Sequence, residues 1–157
     1  MRGVAATVTI VTTGSPQGDK YAMTASSFMS VSLEPPTVLV CINKRASISA
    51  PLLASRHLCI NVLGARHRKL AVQCAGGHSR DRFAEADWHV DEAGLPYLKD
   101  AQAVLACKVQ QVVDGGSHHV ILSQVVRATA GPAIDPLEYL DGSFVQFRHE
   151  QNRDSTL

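Results

Sequence analysis

Four small residues in a row form the first stretch of this sequence that could bind a ligand. The stretch Met23-Thr24-Ala25-Ser26-Ser27-Phe28 places them between larger side chains. Small side chains leave backbone N–H groups open and let a flat ring approach closely, and hydroxyl and N–H groups can bond the N and O atoms along the edge of such a ring. An ordinary polar strand has the same composition, so the residues alone leave both interpretations open.

A second candidate segment is rich in groups that suit a phosphate. Asn43-Lys44-Arg45-Ala46-Ser47-Ile48-Ser49 combines two cations and two hydroxyls with a predicted helix start. An exposed loop whose serine caps the helix explains it equally well. Arg82-Phe83, after Asp81, adds a cation beside an aromatic ring, although arginine on a surface turn is common.

The histidines and serines indicate which chemistries the chain lacks. His118 and His119 open a predicted strand, so their side chains point to opposite faces and cannot chelate one metal together. The other histidines show no HExxH or HxH spacing, which makes a zinc site improbable. No GxSxG surrounds a serine, and no GxGxxG or P-loop is present. A dinucleotide that binds here does not bind in the Rossmann manner.

The elements that must position these residues are predicted to be mostly strands. β-branched and apolar runs punctuated by Gly and Pro predict strands at Val4–Thr13, Lys20–Leu33, Thr37–Asn43, Leu58–Leu63 and Ser143–Phe147. The second of these is expected to bend or break near Ala25 to Ser27. The third and fourth have the apolar character of strands that are buried on both faces.

One hairpin and two short helices complete the pattern. Ala103–Val113 and His119–Ala128 are joined by Asp114-Gly115-Gly116-Ser117, where the Asp-Gly pair is expected to supply positive φ angles. A helix is predicted near Ser49 with Pro51 in its first turn, and another over Arg66–Cys74. Many short strands with few helices predict a mainly β fold, a closed antiparallel barrel, rather than a doubly wound sheet.

Composition sets the outer limits of the function. The 157 residues fit one domain, predicted over 1–150 with a flexible tail at 151–157, and the net charge of +1 gives no field for nucleic acid. The apolar run Val38 to Ile42 is far too short to cross a bilayer, so a cytoplasmic protein without a membrane partner is predicted. Each of the four cysteines (Cys41, Cys59, Cys74 and Cys107) lies in or beside an apolar stretch and is interpreted as a structural thiol.

Taken together, these segments resemble the flavin reductase family, whose members supply reduced flavin to two-component monooxygenases such as 4-hydroxyphenylacetate 3-monooxygenase. The resemblance rests on blocks in the right order. They are Val4–Thr13, Met23–Ser32, Pro35-Pro36, Val40–Asn43, Cys59–Leu63, Arg82-Phe83, Gly116-Ser117-His118 and Pro136–Tyr139.

The resemblance implies an FMN-binding split β-barrel, a Greek-key antiparallel barrel, that forms a homodimer with flavin at the subunit interface. Met23 and the segment Thr24 to Ser27 would line the flavin ring, and Cys41, Ile42 and Asn43 would border the ribityl chain. Ser47 and Ser49 would meet the phosphate, with Arg82 and Phe83 nearby. His118 would face the nicotinamide as the catalytic residue, and Tyr139 would lie near the same pocket.

The implied activity is hydride transfer from NADH or NADPH to FMN or FAD, with the reduced flavin diffusing to a separate oxygenase. One alternative is a non-catalytic module of the same fold that carries or senses FMN; another gives the barrel its own flavin-coupled substrate, such as a ferric complex or cobalamin. The chain departs from the family pattern in two places: it starts at the end of a helix that usually comes first, and Cys74 replaces a usual phenylalanine.

Overall fold

A computed structural model describes residues 3–15, 17–76, 81–131 and 134–146. The strands are β1 Ala6–Thr7, β2 Thr9–Gly14, β3 Lys20–Ala25, β4 Met29–Leu33, β5 Pro36–Asn43, β6 His57–Val62, β7 Trp88–Val90, β8 Pro96–Leu98, β9 Ala103–Gly115, β10 His118–Ala130, β11 Leu137–Leu140 and β12 Ser143–Gln146. The helices are α1 Ser49–Ser55 and α2 Arg68–Ala75, and 3₁₀ turns lie at Ala65–His67 and Asp81–Phe83. Phe147 and the predicted tail at 151–157 lie outside the described residues.

The predicted mainly β architecture is confirmed. One antiparallel sheet of seven strands has the order β3-β2-β6-β9-β10-β5-β4, a second sheet joins β1, β11 and β12, and β7 pairs with β8. Neither described helix is long and apolar enough to cross a membrane. The helices instead pack against the sheet, with α1 contacting β2 and β6 and α2 contacting β3.

The predicted break within Lys20–Leu33 is confirmed, and it determines how the large sheet closes. The strands on either side of it, β3 and β4, lie at opposite edges of the sheet, yet β3 also contacts β5. The β3–β4 connection, residues 26–28, spans this gap. Its Ser27 hydroxyl donates to the Cys41 carbonyl and accepts the Cys41 N–H, both at 3.1 Å. A side chain therefore satisfies the edge of β5 where β4 has not yet begun.

The interior of the large sheet is the main core. Alternate residues of β5 (Val38, Val40 and Ile42) are at most 6% exposed and pack with Leu58 and Ile121. The prediction that this strand is buried on both faces is wrong, because Leu39 and Cys41 on its other face are half-exposed. The prediction holds for β6, whose residues from Leu58 to Val62 are all buried.

Two further sequence predictions need correction. Val4–Thr13 is two strands rather than one: β1 pairs with β11, whereas β2 pairs with β3 and β6. In the long hairpin, Asp114 and Gly115 belong to β9, and the positive φ of 76° falls on Gly116. The Asp114 carboxylate instead accepts hydrogen bonds from Lys44 Nζ on both oxygens, at 2.9 and 2.8 Å, and from the Gly116 N–H at 2.8 Å. These bonds lower the pKa of its carboxyl below the usual range.

Three of the four cysteines that the sequence predicts to be structural thiols are buried. Cys59, Cys74 and Cys107 are at most 1% exposed, and burial raises the pKa of Cys59 and Cys107 to about 12 and that of Cys74 to about 11. These thiols are therefore protonated and unreactive at neutral pH. Cys41 is half-buried.

A buried amide links the large sheet to the β7–β8 hairpin. Asn61, fully buried on β6, donates from Nδ2 to the Ile10 carbonyl at 3.0 Å and accepts the Leu98 N–H on Oδ1 at 2.8 Å. Gly14 approaches the same hairpin so closely that an added Cβ would lie 2.4 Å from the Gly94 oxygen. The sequence Cys59–Leu63 thus contains a polar residue in its core for a structural reason.

We expect Asn61→Ala to lower the free energy of unfolding by about 2–4 kcal/mol, because it removes two buried hydrogen bonds, to the Ile10 carbonyl and from the Leu98 N–H. Chemical denaturation measures this. The exposed Gln110→Ala, which removes only a surface contact between two glutamines, is the control and should change stability by less than about 0.5 kcal/mol. Equal effects of the two substitutions would contradict the structural role of Asn61.

Candidate functional site

Three adjoining cavities form a continuous groove along the end of β3 and the β3–β4 connection. They are a cationic, an apolar and an acidic cavity; the cationic and apolar cavities share Thr24 and Ala75, and the apolar and acidic cavities share Ser26 and Tyr139. The cationic cavity (about 560 Å³) is lined by Met23, Thr24, Asn43, Arg45, Ala46, Ser47, Cys74, Ala75 and Arg82. The apolar cavity (about 250 Å³) is lined by Val8, Thr24, Ser26, Val72, Ala75, Tyr139 and Phe144. The acidic cavity (about 490 Å³) is lined by Val4, Ala6, Ser26, Ser27, Tyr139, Asp141 and Gly142.

The β3–β4 connection presents free backbone donors to the groove. Within the described part of the chain, no hydrogen bond uses the N–H of Ser26 or Ser27. Ser26 is exposed, and its small side chain lines two of the cavities. Adjacent N–H groups beside a shallow apolar surface can donate to the acceptor atoms at the edge of a flat heterocycle.

The Thr24 and Ser27 hydroxyls already bond other parts of the protein, which refines the prediction that hydroxyls of this segment bond the edge of a ring. Thr24 Oγ1 donates to the Ala71 carbonyl of α2 at 2.7 Å, and Ser27 Oγ bonds the backbone of Cys41. The threonine thus fixes the helix against the end of β3, and the serine fixes the connection to β5. Their role in the groove is to hold its walls in place and leave the backbone donors accessible.

Helix α2 forms the opposite wall. Its residues Val72 and Ala75 lie three positions apart, hence on one helix face, and both line the apolar cavity. Tyr139 and Phe144 close the other side with ring centroids 5.3 Å apart in an edge-on arrangement. These aromatic residues come from the β11–β12 hairpin, which is held to the N-terminal strand by the pairing of Ala6 with Tyr139.

The cationic cavity collects donors suited to an anion. Arg82 Nη1 donates to the Ala22 carbonyl at 2.6 Å and lies 3.4 Å from Ser47 Oγ, so this guanidinium is fixed beside the hydroxyl. Asn43 Oδ1 accepts the Arg45 N–H at 2.9 Å, which shapes the loop that presents the second guanidinium. Cys74, the buried thiol in the same wall, is neutral because of its raised pKa. Two guanidinium groups and a hydroxyl can bind a phosphate.

Eight of the residues predicted from the sequence line this groove. They are Met23, Thr24, Ser26, Ser27, Asn43, Ser47, Arg82 and Tyr139. Three others are buried away from it: Ala25 and Ile42 belong to the main core, and Ser49 is 4% exposed in the first turn of α1. The Ser49 side chain makes no capping bond, and Pro51 lies in the first turn as predicted. These three side chains lie outside the three cavities.

The remaining three predicted site residues are Cys41, Phe83 and His118, and they line none of the three cavities. Cys41 is on the outward face of β5, and Phe83 packs against Trp88 with ring centroids 5.0 Å apart. His118 opens β10 directly opposite Asn43, and its Nδ1 lies 2.8 Å from Ser117 Oγ. It lines none of the three cavities, so none of these three joins His118 to Tyr139.

Several groove residues were not predicted from the sequence. Val72, Ala75 and Phe144 form most of the apolar wall, Arg45 supplies a guanidinium, and Asp141 marks the acidic end. Arg45 stood inside a segment already singled out for its charge. The spacing of Val72 and Ala75 on a predicted helix was a usable signal, whereas nothing local to Phe144 links it to a groove.

The groove suits a flavin nucleotide on the chemistry of its donor set. A flavin has an extended apolar ring with acceptor atoms along one edge and a phosphate at the end of a flexible chain. The free N–H groups of Ser26 and Ser27 match the ring edge, the apolar cavity matches the ring face, and Arg45 and Arg82 match the phosphate.

Comparisons with known proteins agree with this chemistry. A model described as "Flavin reductase like domain" matches residues 1–148. FMN reductase (NADH) RutF of Enterobacter sp. (strain 638) is 38% identical over 146 residues, covering 92% of this chain and 88% of that protein. NADH-dependent FAD reductase of Streptomyces globisporus is 39% identical over 145 residues, covering 89% and 78%.

Solved structures share the fold over almost the whole chain. NADH:FAD oxidoreductase SgcE6 of Streptomyces globisporus C-1027, in complex with NAD and FAD fragments, has a TM-score of 0.88 at 36% identity, covering 96% of this chain and 90% of that one. BorF, the flavin reductase component of a bacterial two-component tryptophan halogenase, has a TM-score of 0.85 at 30% identity and 94% coverage of both chains. The resemblance and the split-barrel fold predicted from the sequence are confirmed, and the chain belongs to the flavin reductase family.

Proposed function

We propose that this protein transfers a hydride from NADH to a freely exchanging flavin and releases the reduced flavin to a separate oxygenase. The observation that carries the proposal is the pair of backbone N–H groups at Ser26 and Ser27, which have no hydrogen-bond partner among the described residues and belong to residues that line a groove with guanidinium groups at one end. The family and the names of the relatives support the same activity. Those relatives include an FMN reductase and an FAD reductase, so both flavins are candidate substrates.

The chemistry is supplied by the two nucleotides: a bound flavin accepts at N5 the hydride that leaves C4 of the reduced nicotinamide, and a proton from solvent completes the reduction. The protein's task is to bind and orient them. The N–H groups of residues 26 and 27 hold the ring edge, Arg45, Ser47 and Arg82 hold the phosphate, and Val72 and Phe144 exclude water from the ring face. Holding the two rings in contact replaces a bimolecular encounter in solution with a reaction between two bound and oriented partners.

We further propose that the protein is a homodimer that pairs through an apolar sheet face. This outer face consists of Met29, Leu39, Cys41, Val113, Val120 and Leu122, which the strand registers place side by side. Met29 is 57% and Val113 41% exposed, although both lie on β-strands next to other apolar residues. None of these six side chains is charged, so two copies can bring them together about a twofold axis without like-charge repulsion.

The dimer would give His118 its role. His118 lies opposite Asn43, in register with the outer face; the Ser117 hydroxyl lies at its Nδ1, and no described residue bonds its Nε2. At the subunit interface this imidazole would place or polarise the nicotinamide carboxamide. A cytoplasmic location and an oxygenase that receives flavin by diffusion complete the proposal and stay predictions.

The first test is turnover. We expect the purified protein, kept free of oxygen, to oxidise NADH only when free FMN or FAD is added, and to accumulate one reduced flavin for each NADH consumed. Absorbance at the nicotinamide and flavin bands measures both. NADPH in place of NADH, and a reaction without added flavin, are the controls.

Other outcomes would point elsewhere. Tight retention of FMN without turnover would contradict the reductase and favour a flavin carrier or sensor. Neither flavin binding nor NADH oxidation would contradict the assignment of the groove itself. Reduction of an added ferric complex or cobalamin much faster than of free flavin would replace the proposed flavin product with another substrate.

The second test addresses the dimer. Met29→Glu should convert a dimer to a monomer at micromolar concentration, because burying a carboxylate without a partner in an apolar interface costs several kcal/mol. Light scattering after gel filtration measures the mass. Val90→Glu, at a 45% exposed valine of the β7–β8 hairpin, is the matched control and should leave the dimer intact.

A wild-type protein that elutes as a monomer at all concentrations would contradict the proposed interface. So would a Met29→Glu protein that keeps the mass of the wild type. Thermal unfolding of both variants checks that the single chain has folded.

A further inference from the structure

Three cations surround the first turn of α2, and they differ in their partners. Arg66 pairs with Asp100 at 3.3 Å, and Lys69 pairs with Glu85 at 2.5 Å. Arg68 has no carboxylate within ion-pair distance among the residues that the structure describes. Of these three cations, Arg68 is the one whose recorded contact is not with a carboxylate of the described residues.

That position is set by an aromatic ring of the groove. The Arg68 guanidinium lies over the Phe144 ring, 5.8 Å from its centroid, in a cation–π arrangement. Phe144 lines the apolar cavity together with Val72, which lies one helical turn beyond Arg68 on the same side of α2. The contact holds a positive charge at the rim of the apolar cavity.

The distribution of charge along the groove makes this cation distinctive. Arg45 and Arg82 both line the cationic cavity, whereas the described residues that line the apolar and acidic cavities include no lysine or arginine. The acidic cavity even contributes Asp141. Arg68, which contacts Phe144 of the apolar lining, is therefore a cation beside the middle of the groove, where the described lining itself supplies none.

The proposed reaction brings two phosphate-bearing nucleotides to one groove. One anionic group, that of the flavin, is accounted for by the cationic cavity. The second nucleotide must lay its ring against the flavin ring over the apolar cavity, so its own diphosphate has to emerge at that cavity's rim.

We propose that Arg68, held in place by Phe144, binds the diphosphate of the dinucleotide hydride donor and so determines how tightly that donor binds. The inference rests on the proposed function. Arg68 is a binding residue that contacts only the remote part of the donor; it does not touch the reacting atoms. Its guanidinium offers planar, paired N–H donors that fit phosphate oxygens.

The experiment compares two donors that share the reacting ring. NADH carries the diphosphate, whereas reduced nicotinamide riboside carries no phosphate. Arg68→Ala should raise the KM for NADH about five- to twentyfold, the range for losing one charge-assisted hydrogen bond, and leave kcat/KM for the riboside and KM for the flavin unchanged. Lys69→Ala removes the same charge one residue away and is the control.

A binding measurement gives a second readout that does not depend on turnover. Titration calorimetry of NAD⁺ into the flavin-free protein should show the same five- to twentyfold weakening for Arg68→Ala. The difference should shrink as salt is raised, because the contact is exposed and screened. Arg68→Lys should recover part of the affinity, since it keeps the charge and loses the planar donors.

Three results would overturn the proposal. An equal loss of kcat/KM with NADH and with the riboside would make Arg68 a structural part of the groove. A raised KM for the flavin with an unchanged KM for NADH would assign Arg68 to the flavin, and equal effects of Arg68→Ala and Lys69→Ala would show that only the general surface charge matters. A wild-type protein that oxidises neither donor with flavin present would instead contradict the proposed function, and the NAD⁺ titration would still decide the role of Arg68.

Discussion

The structure depends on how residues 26–28 cross from one edge of the large sheet to the other. Strands β3 and β4 are consecutive in the chain and lie at opposite edges, so their connection cannot continue either ladder. Ser27 satisfies the N–H and carbonyl of Cys41 with its hydroxyl, which fixes the connection and leaves its own backbone donors unused. Unused backbone donors at a surface are costly unless water or a ligand bonds them, and here they line a groove.

The other walls of the groove are held in place around the β3–β4 connection. The Thr24 hydroxyl fastens α2 across from it, and the β11–β12 hairpin closes the aromatic side. The charge runs from Arg45 and Arg82 at one end to Asp141 at the other, which gives an anionic ligand one orientation. The raised pKa of Cys74 keeps the thiol in this wall neutral, so it neither repels a phosphate nor acts as a nucleophile.

The sequence was informative where chemistry is local and less so where it depends on packing. The run of small residues at Thr24 to Ser27 indicated the break in the strand, but its composition alone also fitted an ordinary polar strand, so its place beside a groove became visible only in the fold. Ser49 and Ile42 could not be excluded from the site by their types, since only the fold buries them. Phe144 and Tyr139 are distant in sequence from the β3 and α2 residues of the groove and reach it through the pairing of β11 with β1 and of β12 with β11. His118 was located correctly at the start of β10, but it lines none of the three cavities, although its register partner Asn43 lines the cationic one.

The most direct test of this account follows the backbone amides of the β3–β4 connection by NMR during titration with FMN. If these N–H groups hold the ring, the amide resonances of Ser26 and Ser27 should move downfield and their exchange with solvent should slow, whereas the Gly116 amide, bonded to Asp114, should stay unchanged in a monomeric variant. Saturable FMN binding that leaves the amides of Ser26 and Ser27 unperturbed would contradict the central claim that the open edge of the barrel binds the flavin.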